Sequence, residues 1–179
     1  MPVRSRLAAD LYDLGRLAED VYRADGYPTY RPTDLVQGFL VSSDAIEAWV
    51  AEVDGELVGH VALHHSSWEG VMAAAREATG YPNDQLAVVA RLLVSPQARS
   101  RGLGTALLDA ATAKAKTLRR LPILDVVTTY AAAVRLYEAR GWHRIGTVDF
   151  PLPDGRFVAE HVYVSPEWTA DRLHNASAH

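Results

Sequence analysis

The residues with the most chemical content run from Leu92 to Leu108: Leu-Leu-Val-Ser-Pro-Gln-Ala-Arg-Ser-Arg-Gly-Leu-Gly-Thr-Ala-Leu-Leu. An apolar strand passes through a short basic, glycine-bearing turn into an amphipathic helix. A helix that starts on such a turn presents unpaired backbone N–H groups and the positive end of its dipole. That arrangement binds a phosphate or pyrophosphate. Arg99 and Arg101 add charge-assisted donors beside it. Glycine at 102 and 104 lets the backbone approach the anion closely.

Two familiar phosphate motifs do not fit. A nucleotide-hydrolase loop needs Lys-Ser or Lys-Thr after its second glycine. Here Gly104 is followed by Thr105. The dinucleotide fingerprint needs a third glycine three residues after the second. That position is Leu107. What remains is Arg-x-x-Gly-x-Gly, from Arg99 to Gly104. A polar turn capping an ordinary helix leaves the same six residues, so the rest of the chain must decide.

Downstream, residues 121–128 form a short β-branched run that reads as a buried strand. Tyr130-Ala-Ala-Ala-Val-Arg-Leu-Tyr-Glu-Ala-Arg-Gly-Trp142 follows. Ala133, Leu136 and Tyr137 share one helical face, and Gly141 stands where a helix end needs a left-handed residue. The Arg99–Gly104 pattern and this tyrosine-bearing helix resemble two signatures of the GNAT acetyltransferase superfamily, in the family's order. The resemblance covers residues 48–164 and is specific over 86–142.

The resemblance implies an α/β (mixed α+β) fold. Its centre is a mostly antiparallel, twisted sheet of six to seven strands, flanked by about four helices and splayed at strands 4 and 5. It implies acetyl-CoA as co-substrate. The acetyl group would pass directly, in a ternary complex, to a primary amine of a small molecule or peptide. Leu92, Leu93 and Val94 would present strand backbone to the pantetheine, and Arg99, Ser100, Arg101, Gly102, Leu103, Gly104 and Thr105 would hold the pyrophosphate. Thr128 and Tyr130 would lie toward the pantetheine. Tyr130 stands where the family often has asparagine, so Thr128 and Thr129 are alternative hydroxyl donors. Tyr137 matches the family tyrosine that protonates the leaving thiolate. Phenol and alkyl thiol pKa values lie within about two units, so that transfer is feasible. At helical spacing the same residue also reads as a core aromatic.

The base is not encoded in the usual place. Many family members use a glutamate on the central strand, and residues 86–94 hold no carboxylate. The one charged residue there is Arg91, which either holds a carboxylate on the acceptor or pairs with an internal acid. His60 and His64 fall on one face of the preceding strand, with His65 opposite, and histidine titrates near neutrality. Glu160 and His161 in the last strand are further candidates, as is a water chain. Ordinary strand-end polar residues would look the same. Tyr27 and Tyr30, with Arg31, Trp68 and Asp154, fall in segments that line the acceptor cleft in this family.

The elements that must position these groups can be read in order. Residues 7–23 carry helical spacing, 25–32 a turn-rich loop, and 33–40 a short helix capped by Thr33 or Asp34. Residues 49–53 and 56–63 form a hairpin across Asp54-Gly55. Residues 70–78 read as a helix in an insertion and 87–94 as the central strand. The helix over 102–118 would bury Leu103, Ala106, Leu107, Ala110 and Ala111. Residues 142–150 and 156–164 form a closing hairpin, and 165–179 a polar tail.

With 179 residues, 49% apolar and 22% charged, the chain suits a single domain over 1–179 rather than a disordered segment. No apolar run nears the ~20 residues of a membrane span. The N-terminus lacks an export signal, so a cytoplasmic protein is expected. A net charge of −4 argues against a general nucleic-acid role. The absence of cysteine excludes disulfides, thiolate metal sites and a cysteinyl acyl-enzyme. Adjacent histidines point to opposite strand faces, so no metal is expected. Family members often pair, which admits a homodimer. Two other classes stay open: an acyl-CoA-binding sensor without turnover, and an interaction protein on a degenerate fold.

Overall fold

The computed structural model describes residues 3–168. Among them, seven strands and four longer helices follow along the chain. They are β1 (Val3–Ser5), α1 (Leu11–Asp25), β2 (Ala45–Val53), β3 (Glu56–His64), α2 (Glu69–Thr79) and β4 (Leu86–Val94), then α3 (Leu103–Thr117), β5 (Leu121–Val127), α4 (Ala131–Ala139), β6 (His143–Pro151) and β7 (Phe157–Val164). The strand order is β1-β2-β3-β4-β5-β7-β6. β1–β2, β2–β3, β5–β7 and β6–β7 pair antiparallel, and β4–β5 pair parallel. This is the expected mixed sheet. The parallel pair is in register only from Leu86 to Val88 against Leu121 to Ile123. From Asp125 to Val127, β5 runs beside β7.

Two compact units make up the chain: residues 1–65 with 89–114, and residues 66–88 with 115–179. In the first, Leu14, Leu17, Ala18 and Val21 of α1 bury their stripe with Phe39, Leu40, Val50 and Leu93. Each large apolar side chain so buried stabilises by about 1.5–3 kcal/mol. The helix begins at Leu11 rather than Leu7, because residues 8–10 make a 3-10 turn. Asp10 fixes that turn by accepting the Leu7 N–H at 2.7 Å and pairing with Arg4 at 2.8 Å. The sequence reading also passed over β1, whose three residues are too few to display a period.

The short helix over 33–40 is a π-type turn, Val36–Leu40. Asp34 Oδ1 accepts the N–H groups of Val36 at 2.8 Å and Gln37 at 3.1 Å, which identifies it as the cap. The β2–β3 hairpin turns on Asp54 and Gly55, both left-handed at φ 52° and 82°, as a two-residue turn requires. α3 lies directly on Gly59 of β3. A Cβ there would stand 2.7 Å from Leu107 Cδ1 and 3.3 Å from the Leu93 carbonyl. Leu103, Leu107, Leu108 and Ala111 are buried, whereas Ala106 and Ala110 are only half-buried. The large leucines take the centre of the face and leave the small alanines at its margin.

The second unit packs Val71, Met72 and Ala75 of α2 with Leu86, Val88, Leu121, Ile123, Val162 and Val164. α2 therefore builds a core and is not an appended insertion. The β6–β7 hairpin closes at Gly155, φ 84°. The expected polar tail starts inside this core. Ser165 is buried and donates its N–H to the Pro122 carbonyl at 3.0 Å, and Trp168 packs on the cluster. The rest of that tail, 169–179, lies outside the described residues.

Candidate active site

Strand β4 bends its backbone at its one charged residue. Arg91 adopts a left-handed φ of 57° in the middle of β4. For a residue with a Cβ this is an unfavoured conformation that surrounding contacts must impose. His60, fully buried on β3, supplies one. Its Nδ1 donates to the Arg91 carbonyl at 2.9 Å, because a carbonyl can only accept. Nε2 is then the lone-pair nitrogen, 3.2 Å from Arg6 Nη1, which also donates to the Leu40 carbonyl at 2.7 Å. Both ring nitrogens of His60 are spent. Burial first, and the two nearby arginines next, lower its pKa to about 4. His60 thus shapes the strand and has no free lone pair for a substrate proton.

Beyond Arg91, β4 runs through Leu92, Leu93 and Val94, of which Leu93 faces the core and its neighbours are half-buried. Ser95 donates its N–H to the Val58 carbonyl at 2.8 Å, tying the strand end to β3. The chain then turns through Pro96–Ala98 into the predicted anion cradle. Ser100 and Gly102 are both left-handed, at φ 63° and 76°, with Arg101 between them. Such alternation draws successive N–H groups toward one concave side. α3 begins at Leu103, so the N–H groups of Leu103, Gly104 and Thr105 have no acceptor inside the helix. Ser100, Arg101 and Gly102 are exposed, and residues 99–105 include no acid. These donors fit the pyrophosphate of acetyl-CoA. Arg99 is placed differently from the expectation. Its guanidinium makes a paired contact with the Asp25 carboxylate and donates to the Val94 carbonyl at 3.4 Å, so it braces the turn against the end of α1.

A second polar cluster of this unit surrounds Arg91. His64 is buried, its Nε2 has no hydrogen-bond partner, and its Nδ1 stands 3.8 Å from Asp44 Oδ2, beyond hydrogen-bond range. Burial, with the Arg91 charge next, lowers its pKa to about 4. The Arg91 guanidinium lies over the Phe39 ring at 5.5 Å, and Tyr27 meets that ring edge-on at 5.5 Å. Arg91 Nη1 is buried without a hydrogen-bond partner. Among the described residues, no carboxylate forms an ion pair with Arg91.

The second unit holds Tyr137 and a pair of carboxyl groups. Tyr137 on α4 is buried between the rings of Trp142 at 6.2 Å and Tyr163 at 6.1 Å. Burial, with the Asp125 charge adding to it, pushes its phenol above the ordinary range, so it keeps its proton at any working pH. Asp125 of β5 and Glu160 of β7 share a hydrogen bond, and Ser67 Oγ donates to Asp125 at 3.2 Å. Burial, with the Asp125 charge next, pushes Glu160 up to about 8, and burial also raises Asp125 against the hydrogen bonds it shares with Ser67 and Glu160. Glu160 Oε2 is buried and unpartnered. The sequence reading named Glu160 but missed Asp125 and Arg6. The signal for Asp125 was its isolation, one acid inside a β-branched run, since buried carboxylates in such strands have partners.

Other predicted residues are distributed as follows. Thr128 donates its N–H to the Ala159 carbonyl at 2.9 Å, and Tyr130 precedes the first turn of α4. Tyr30 is exposed, and Arg31 is held by Glu19 at 2.6 Å. Trp68 packs edge-on against Phe150 at 5.5 Å, and Asp154 accepts from Arg156 Nε at 2.9 Å. His65 is exposed and lies just past the end of β3. His161 is hydrogen-bonded to Thr147 at 2.8 Å. Among the described residues no three His, Cys, Asp or Glu side chains gather as a metal site, and no helix is long and apolar enough to cross a membrane.

Residues 11–142 match the acetyltransferase (GNAT) family. The chain belongs to that family. Among curated GNAT relatives, a mycothiol acetyltransferase of Acidothermus cellulolyticus is 40% identical over 102 residues, which are 55% of this chain and 30% of that protein. The match thus spans less than a third of that relative. An uncharacterised N-acetyltransferase of Archaeoglobus fulgidus is 29% identical over 80% of this chain and 94% of its own. Among solved structures, a ribosomal-protein-alanine N-acetyltransferase from Brucella melitensis superposes with a TM-score of 0.70 at 18% identity, covering 92% of this chain and 99% of that one. Arabidopsis thaliana NAA60, crystallised with acetyl-CoA, gives 0.67 at 20% identity over 91% and 96%. At these identities the structural matches establish the GNAT fold.

Proposed function

We propose that this GNAT protein is an N-acetyltransferase that moves an acetyl group from acetyl-CoA directly to a primary amine of a small molecule or peptide. The observation that carries this is the combination, within one unit, of the left-handed Arg91 in β4 and the N–H cradle at Ser100–Thr105. Bound acetyl-CoA supplies an activated acetyl thioester. The backbone of Leu92 and Val94 holds the pantetheine arm, and an N–H near Leu92 polarises the carbonyl as an oxyanion-hole donor does. The amides from Ser100 to Thr105 hold the pyrophosphate. The sequence has no cysteine to carry an acyl group, which supports direct transfer.

Proton traffic follows from basicity. A primary ammonium titrates near 10, so passing its proton to His64, at about 4, costs roughly 8 kcal/mol. His64 therefore stays neutral, and the amine sheds its proton to solvent. Tyr137 stands as the acid for the departing thiolate, although burial raises its phenol and makes that transfer less favourable than from a free phenol.

The test is thiol release from acetyl-CoA by the full chain, followed across a panel of amines. Release with at least one amine supports transfer. Tight acetyl-CoA binding without release across small amines and peptide N-termini would make the protein an acyl-CoA sensor instead.

A further inference from the structure

We infer that Arg91 and His64 form a carboxylate-binding subsite, so that the acceptor is a small amine that also carries a carboxylate. This deepens the acetyl-transfer reading and rests on it. A buried guanidinium nitrogen without a partner is costly, and the structure keeps one at Arg91 Nη1. The same cluster holds a second unmet polar atom, His64 Nε2, on a side chain that is 5% exposed. Two such atoms in one cluster wait for the same ligand. Neither nitrogen of His64 has its role fixed by a hydrogen bond, so the neutral ring can carry its proton on Nε2 and donate it.

The local charge agrees with an anion. Arg6 and Arg91 both act on His64, and Asp44 is the opposing acid. Asp10 offsets Arg6, which leaves the Arg91 guanidinium, with Asp44 outside ion-pair range, as the cation that an anion would meet. Arg6 is already engaged with Leu40 and His60, which leaves Arg91 to meet the ligand. A guanidinium presents parallel N–H groups that match a carboxylate in plane, and Phe39 beneath it holds the fork flat. Tyr27 stands edge-on to Phe39, with its phenol close enough to act on the guanidinium.

Position makes the subsite selective. Arg91 is the left-handed residue itself, so its side chain leaves the strand immediately before the Leu92–Val94 backbone assigned to the donor arm. A carboxylate fixed there sets the distance from the acceptor's anchor to its amine. Acceptors lacking the anion leave Arg91 Nη1 and His64 Nε2 unpaired, and sites of that kind reject such analogues strongly.

The experiment compares matched acceptors that differ only in the anion: glycine with glycinamide, and phenylalanine with phenylalaninamide. Thiol release from acetyl-CoA is measured on the full chain. The amides have the less basic amine and hold more of it unprotonated at neutral pH, so any preference for the acids comes from the protein. The expected result is a kcat/KM at least tenfold higher for the acids. Arg91→Asn, which tolerates the left-handed backbone, should collapse that ratio through the KM of the acid, and Arg91→Lys should restore part of it. Equal use of acid and amide by the wild type overturns the subsite while leaving the transferase reading intact. So does an Arg91→Asn variant whose main defect is weaker acetyl-CoA binding, since Arg91 would then serve the donor. If no amine releases thiol, calorimetry on the protein with bound CoA compares N-acetylglycine with N-acetylglycinamide. Tenfold tighter binding of the acid supports the subsite, and equal or absent binding overturns it.

Discussion

His60 Nδ1 donates to the carbonyl of Arg91 at 2.9 Å, and so a buried histidine of one strand holds the left-handed residue of the next. Removing the imidazole releases that carbonyl and leaves Arg6 without its second contact. His60→Ala should lower turnover by about 10- to 100-fold, an effect of misplaced backbone rather than lost proton transfer. His60→Gln, which can still donate to the carbonyl, should recover part of it. Steady-state thiol release with acetyl-CoA binding measured alongside separates the two variants. Full activity in His60→Ala would show that the left-handed residue holds itself.

The same histidine predicts a stability profile. His60 and His64 are both lowered from 6.5 to about 4. Between those values the unfolded chain binds more protons than the folded one, so stability falls as pH falls from about 6.5 toward 4. Each histidine contributes a slope of about 1.4 kcal/mol per pH unit in that window. Denaturant titrations at pH 7, 6 and 5 should show His64→Gln losing about 1.4 kcal/mol per pH unit less than the wild type, a difference that the opposing contributions of Glu160 and Asp125 leave unchanged because both proteins share them. An unchanged difference between the two proteins from pH 7 to pH 5 would mean that the His64 ring gains an acidic partner on protonation.

Gly102 carries the cradle through φ 76° on an exposed turn. A side chain there costs about 1–2 kcal/mol of backbone strain and stands where the anion must approach. Gly102→Val should weaken acetyl-CoA at least tenfold by calorimetry, with only a small drop in melting temperature. The reverse pattern, a large drop with unchanged affinity, would make the turn structural.

Tyr137 separates its two roles by substitution. Tyr137→Phe keeps the packing on Trp142 and Tyr163 and removes only the proton. As a general acid it should lose about 100-fold or more in kcat with acetyl-CoA affinity unchanged. Equal kcat in Tyr137→Phe would leave it as a core aromatic.

Much of this molecule was legible because its motifs are local. The turn from Arg99 to Gly104, the Asp54-Gly55 hairpin and the Asp34 cap each depend on a few adjacent residues, and the structure contains all three. The left-handed residue of β4 was visible only as an oddity, one arginine in an apolar strand. Its left-handed geometry depends on His60, thirty-one positions earlier in sequence. Arg99 shows the converse. Its motif position suggested a phosphate ligand, but Asp25, far away in sequence, takes its guanidinium. Asp125 and Glu160 come together because β5 and β7 are neighbours, which no local pattern announces.

That pair supports the last prediction. Glu160 is raised from 4.5 to about 8 by burial and by Asp125. The folded state therefore holds a proton that the unfolded chain releases between those values, and its contribution to stability is lost as pH rises through about 8. Glu160→Gln, permanently neutral, should flatten the part of the fall in melting temperature that runs between about pH 5 and 8. If the pair also takes the amine's proton, the wild-type kcat should rise along a limb near pH 8, and Glu160→Gln should remove that limb and lower the plateau about 100-fold. The two readouts divide cleanly: a flattened stability curve with an unchanged rate profile would assign the pair to structure and hand the proton to solvent.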